Sequence, residues 1–119
     1  MREDRPWGWY ETIEDGEGYR VKKIHVNPGQ RFSLQFHRKR SEHWVIIDGS
    51  GMVTLGNYDH DAKPGSCFTI GIEQRHRATA SEDGLTFIEV QRGECSERDI
   101  VRLEDDYGRH APTFLELLT

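Results

Sequence analysis

The chain has 119 residues, 34% hydrophobic and 31% charged, with a formal net charge of -5. That length makes one domain, 1–119, around a single core, and the acidic balance excludes a general nucleic-acid surface, which needs a dominant basic field. No apolar run approaches the ~20 residues of a membrane span, and the charged opening Met1-Arg-Glu-Asp-Arg5 leads into no apolar signal region, so the chain reads as cytoplasmic, with no membrane partner.

Short β-prone runs follow one another from Trp9 to Ile13, Tyr19 to Val26, Arg31 to His37, His43 to Ile47, Met52 to Leu55, Cys67 to Ile70, Arg75 to Thr79 and Leu85 to Gln91. Turn chemistry separates them at Asp15-Gly-Glu-Gly18, Asn27-Pro-Gly29, Asp48-Gly-Ser-Gly51, Lys63-Pro-Gly65 and Glu82-Asp-Gly84. Gly49-Ser-Gly51 lacks the third glycine and the following helix of a phosphate loop and reads as a hairpin turn. Short strands with such punctuation predict an all-β barrel or jelly roll. Helix is confined to Pro112–Leu118, with Thr113 as its cap. Phe114, Leu115, Leu117 and Leu118 there are too apolar to leave in water, which favours packing on the barrel or on a second copy, a homodimer. Cys67 and Cys95 lack the spacing of zinc knuckles or redox motifs and read as free thiols.

The densest chemistry lies in Gln35-Phe-His37-Arg-Lys-Arg40-Ser-Glu42-His43-Trp44. Gln35 and His37 are two residues apart in an extended segment, so they leave one face with Cα atoms about 6.6 Å apart and can converge on one ion. If Glu42 points inward, so do Trp44 and Ile46, while His43, Val45 and Ile47 face the other way. The same parity aims Gln35 and His37 inward with Ser33 and Arg31, and His76 inward with Ala78 and Ala80, whose small side chains leave space beside the imidazole. Arg38-Lys39-Arg40 and Arg75-His76-Arg77 are the local basic clusters of an otherwise acidic chain, with Arg38 and Lys39 read as solvated.

The spacing from Gly29 through Gln35-x-His37 and Glu42 to Gly49 resembles the first signature of the cupin superfamily, with Gln35 in place of its first His. A second, looser signature runs from Gly65 through Gly71 and Glu73 to His76. Within cupins, Gln-x-His-x-x-Arg-x-Glu-His-Trp resembles the type II phosphomannose isomerase domain at every defined position. Arg5-Pro-Trp-Gly8, Phe87-Ile-Glu-Val-Gln91 and the segment from Asp99 to Arg109 are similar to the same family. Two positions depart from it: Gly71-Ile-Glu73 stands where many members have Pro-x-Gly, and Ala80 replaces an Asn. Nothing in the chain corresponds to the nucleotidyltransferase domain that larger members carry.

The resemblance implies a single cupin jelly-roll barrel and one divalent metal ion held by Gln35, His37, Glu42 and His76. Zn is first, with Mn, Co, Fe or Ni compatible, because imidazole, carboxylate and amide oxygen do not select one first-row ion. It implies interconversion of mannose 6-phosphate and fructose 6-phosphate through an enediol. Arg40 and Arg109 are the candidates for holding phosphate or stabilising the oxyanion, since a guanidinium makes two charge-assisted bonds to such groups. Trp44 is the candidate for a pocket wall in contact with substrate. An ion pair of Arg109 with Glu104, Asp105 or Asp106 is the competing structural reading, and no proton-shuttling base stands out, Glu73 and His43 being conceivable. The functional alternatives are a non-catalytic cupin that binds a sugar phosphate or nucleotide sugar, and oxygen chemistry, against which Gln35 in place of His counts.

Overall fold

The computed structural model describes residues 1–109, which form nine strands, with no helix among the described residues. The strands are β1 (Arg2–Arg5), β2 (Gly8–Gly16), β3 (Tyr19–Val26), β4 (Leu34–Phe36), β5 (Arg40–Leu55), β6 (Tyr58–Ala62), β7 (Cys67–Ile70), β8 (His76–Gly93) and β9 (Val101–Glu104). They make one curled antiparallel sheet in the order β1-β2-β3-β8-β4-β9, with β5 against β8 and both β6 and β7 paired to β5. The expected all-β class is therefore present. The helix expected over Pro112–Leu118 lies outside the described residues. No helix among them is long and apolar enough to cross a membrane.

The two central strands correct the sequence reading. Asp48–Gly51 and Glu82–Gly84 are not hairpin turns: β5 and β8 run straight through them, 16 and 18 residues long, paired from Arg40 opposite Gly93 to Leu55 opposite His76. The register shifts between Ile46 and Asp48 and between Gly49 and Gly51, and such bulges bend a paired ribbon without ending it. Gly49 takes φ 80°, and a Cβ built on it would sit 2.1 Å from the carbonyl oxygen of Gly84. The glycines that resemble turn residues are there because two backbones approach too closely for a side chain.

Three strands were missed: β1, β6 and β9 are short, charged and at sheet edges, where solvent-facing side chains erase the apolar alternation. The run expected from Arg31 to His37 contracts to β4, with Arg31 bridging Thr79 alone, and the Arg31 side chain, expected inward, is partly exposed and paired with Asp106 at 2.8 Å because it lies before the strand that sets the parity. β5 obeys the expected parity, with Arg40, Glu42, Trp44 and Ile46 buried and His43, Val45 and Ile47 exposed.

The interior is divided in character. Trp44 packs against Phe87 at 4.4 Å between ring centroids and edge-on to Phe32 at 5.9 Å. Next to this apolar core, His37, Glu42, His76, Glu89 and Gln91 are all buried. Buried polar groups at that density are tolerated only where they satisfy one another or a ligand.

Candidate metal centre

His37 follows β4, Glu42 lies near the start of β5, and His76 opens β8. Curling of the sheet brings them together, so that their ligand atoms all lie within 4.8 Å of one another. Glu42 sits between the imidazoles, its Oε2 3.4 Å from His37 Nε2 and its Oε1 3.5 Å from His76 Nε2. The two ring centroids are 5.0 Å apart.

The far nitrogen of each ring fixes its tautomer. His37 Nδ1 is 2.6 Å from the Asp99 carbonyl oxygen, and His76 Nδ1 is 2.8 Å from that of Gln74. A carbonyl only accepts, so each Nδ1 carries the proton and donates it, leaving an Nε2 lone pair turned toward Glu42. Burial pushes both imidazoles down to about 4, with Arg40 and His76 adding to the effect on His37. Both are therefore neutral ligands at neutral pH, and their closeness to Glu42 is not an ion pair. His76 is fully buried and its Nε2 has no hydrogen-bond partner among the described residues. Two imidazole acceptors, one of them orphaned, beside a carboxylate make a donor set that fits a divalent ion.

The other predicted site residues are placed differently. Gln35 is paired in register with His76, but its Oε1 accepts the Ser33 hydroxyl at 2.7 Å. Arg40 is buried and committed: Nε donates to Glu42 Oε2 at 2.9 Å, Nη1 to the Ser96 carbonyl at 2.9 Å, and Nη2 lies 3.2 Å from His37 Nε2. Trp44, 1% exposed, sits behind the cluster in the core and not on a cavity wall, and its indole N–H is shared between Glu42 at 3.3 Å and Glu89 at 3.1 Å. The tryptophan thus orients carboxylates where the sequence reading had it touching substrate. Arg109 makes the competing ion pair, its Nε 2.9 Å and Nη2 3.2 Å from the Asp105 carboxylate. His43 and Glu73 are exposed.

The sequence profile described as "Mannose-6-phosphate isomerase C-terminal" matches residues 2–105. The chain belongs to that family. Alginate biosynthesis protein AlgA of Pseudomonas aeruginosa is 40% identical over 116 residues, covering 96% of this chain and 24% of that protein. The mannose-1-phosphate guanylyltransferase of Escherichia coli is 41% identical over 110 residues, covering 88% of this chain and 22% of that protein. This member of the mannose-6-phosphate isomerase C-terminal family thus spans about a quarter of the length of the curated relatives it matches. Among solved structures, KdgF from a Halomonas species superposes with a TM-score of 0.76 at 15% identity, over 82% of this chain and 90% of the other. A cupin-2 domain protein from Rhodospirillum rubrum gives 0.70 at 20% identity, over 92% and 68%. These likenesses establish the cupin fold.

In this cupin, a cavity of about 140 Å³ reaches His37, Gln35 and Arg40 from the surface. Arg5, Lys22, Arg102 and Arg109 also line it, against two carboxyls, Glu89 and Glu97, so a chain of net charge -5 holds a locally basic pocket. Arg77 is not part of it: its guanidinium bonds the Phe32 carbonyl and Glu104. Arg38 and Lys39 are exposed, as expected of solvated residues.

Glu89 is the buried acid that the sequence reading missed. Burial, and then the nearby Glu42, raise its carboxyl to about 8, while Gln91 donates to its Oε2 at 2.9 Å. The signal was present, since Phe87, Glu89 and Gln91 alternate on the inner face of β8. One segment between β8 and β9 ties the site down. Besides its carbonyl on His37, Asp99 accepts the backbone N–H groups of Arg38 and Lys39, both at 2.9 Å, and Glu97 bonds Lys22.

Proposed function

We propose that this cupin domain is a metal-dependent aldose–ketose isomerase that interconverts mannose 6-phosphate and fructose 6-phosphate through an enediol. The observation that carries the reading is the pair of neutral imidazoles converging with Glu42 beside a basic cavity. Membership of a family described by that isomerase supports it. The guanylyltransferase named among the relatives is an activity of much longer proteins and is not carried over.

His37, Glu42 and His76 would hold the ion, with Gln35 turning from Ser33 to serve as a fourth ligand; Zn is the first choice, and Mn, Co, Fe or Ni are compatible. A divalent ion bound there supplies a Lewis acid against the negative charge that develops on the substrate carbonyl oxygen. The chain's own residues do the rest. Arg40 and Trp44 hold the two Glu42 oxygens in fixed directions, and the buried position of all three excludes water. The proton that leaves C2 and returns at C1 needs a carboxyl or imidazole within reach. Glu89 both lines the cavity and shares the Trp44 N–H with Glu42, which assigns it that transfer in this reading.

A second reading, a non-catalytic module that binds a sugar phosphate or nucleotide sugar, is favoured by one observation. Arg40 lies against both Glu42 and His37 Nε2, so the cluster is partly satisfied without an ion. The two readings separate in one assay. Metal-analysed protein is given mannose 6-phosphate in deuterated buffer and followed by NMR. The isomerase forms fructose 6-phosphate with deuterium at the migrating position, loses activity to a chelator and regains it with a divalent ion. Absence of conversion with each of Zn, Mn, Co and Fe overturns it in favour of the binding module.

A further inference from the structure

We propose that Arg102 holds the anionic end of the ligand, and that the ligand is an elongated small molecule carrying a phosphate monoester at the end remote from its metal-facing oxygen. The identity of the sugar rests on the isomerase reading above. The anion site itself rests on geometry.

The first observation is a register row. β4 lies between β8 and β9, and Gln35 is the paired residue of His76 on one side and of Arg102 on the other. Directly paired residues of antiparallel strands project from the same face, and neighbouring strands lie about 4.8 Å apart. His76 and Arg102 are therefore on one inner face, their backbones roughly 10 Å apart with Gln35 midway. A ligand that engages both ends has to extend across β4.

The second observation is charge. Each other cation on the cavity wall has a carboxylate: Arg5 has Glu3 at 3.1 Å, Lys22 has Glu97, Arg40 has Glu42 at 2.9 Å, and Arg109 has Asp105 at 2.9 Å. Arg102 makes no ion pair among the described residues, and its Nε is buried without a partner. Asp105, an acid whose charge acts on Arg102, already accepts three bonds from Arg109. A buried guanidinium N–H without an acceptor is unfavourable, and a ligand oxygen relieves that cost. The planar fork of donors suits a phosphate. Arg40 and Arg109, the phosphate candidates from sequence, are neutralised by their partners, which leaves Arg102 as the free donor among the described residues of the cavity wall.

The test is calorimetric titration of the metal-loaded full chain with mannose 6-phosphate, unphosphorylated mannose and inorganic phosphate, on the wild type, Arg102→Gln and Arg102→Lys. Metal content and melting temperature are measured on each. The wild type binds mannose 6-phosphate more tightly than either fragment. Arg102→Gln weakens mannose 6-phosphate by about tenfold or more, the worth of one charge-assisted pair, leaves metal stoichiometry intact and erases the preference over mannose, while Arg102→Lys recovers part of the loss. Equal affinity of Arg102→Gln and wild type for mannose 6-phosphate overturns the proposal, as does a wild type that binds it no better than mannose. If Arg102→Gln does not fold, the lysine variant and the wild-type preference decide. Failure of the isomerase reading looks different: phosphate-dependent binding that needs Arg102, without turnover, leaves the anion site standing. Turnover with an unchanged KM in Arg102→Gln removes the anion site and leaves the isomerase.

Discussion

Single side chains decide the chemistry of the candidate centre, and they come to it from β5, from β8, from the stretch after β4 and from the segment before β9. His37, Glu42 and His76 follow from motif spacing and strand parity, because each is set by its neighbours along the chain. Glu89 obeyed the same parity and was passed over as part of an apolar strand. Arg102 lay inside the family-like segment from Asp99 to Arg109 without standing out in it, since its proposed role comes from a pairing of β9 with β4 that spans more than sixty residues. Glu73, considered as a base, is instead a backbone problem: it is the only non-glycine among the described residues with positive φ, at 63°, and its N–H donates to the His37 carbonyl at 2.7 Å. A left-handed conformation costs a side-chain-bearing residue roughly 1–2 kcal/mol, offset in part by the greater freedom of glycine in the unfolded chain. Glu73→Gly should therefore raise the melting temperature by a few degrees, as read by calorimetry, with metal affinity unchanged. A lower melting temperature would mean that the exposed carboxylate contributes something its surroundings do not reveal.

At the scale of strands, composition identified the class and misplaced the breaks. Glycine clusters in β-rich chains mark either a turn or a close approach of two backbones, and local sequence does not distinguish them. Here, Gly49 is a close approach and Gly56 a turn, both at positive φ: an added Cβ meets the Gly84 carbonyl in the first case and nothing within 4 Å in the second. The two should respond unequally to alanine. Gly56→Ala is expected to lose about 1 kcal/mol from its backbone conformation alone. Gly49→Ala has to displace the paired strand as well and is expected to lose about 3 kcal/mol or more. Denaturant unfolding of the two variants checks this, and equal losses would mean that β8 yields freely at its bend. The charged edge strands escaped detection for a different reason, namely that nothing on their outer faces needs to be apolar.

Across the whole molecule, the buried ionisable groups pull stability in opposite directions with pH. His37 and His76 titrate at about 4 when folded against 6.5 for a free imidazole, so the unfolded chain binds more protons between those values and stability falls as pH drops from 6.5 toward 4. Glu89 at about 8, against 4.5, does the reverse: the folded state holds the extra proton, and stability falls as pH rises toward 8. Two histidines outweigh one glutamate below 6.5, and the glutamate acts alone above it. Metal-free protein should therefore be most stable near pH 6.5, with limbs of similar slope on its two sides, a net one proton each, in urea unfolding across pH 4–8.5. A curve rising monotonically to pH 8.5 would show that Glu89 is ionised in the folded state.

The main-chain carbonyl of Asp99 sets which nitrogen of His37 is available, from sixty-two residues away. For anyone transplanting this centre into another barrel, the ten-residue motif from Gln35 to Trp44 is therefore an incomplete cassette. Without the crossing segment around Asp99, the grafted imidazole is free to take its proton on either nitrogen and to rotate. The portable unit is a discontinuous one, two stretches of chain that have to be copied together.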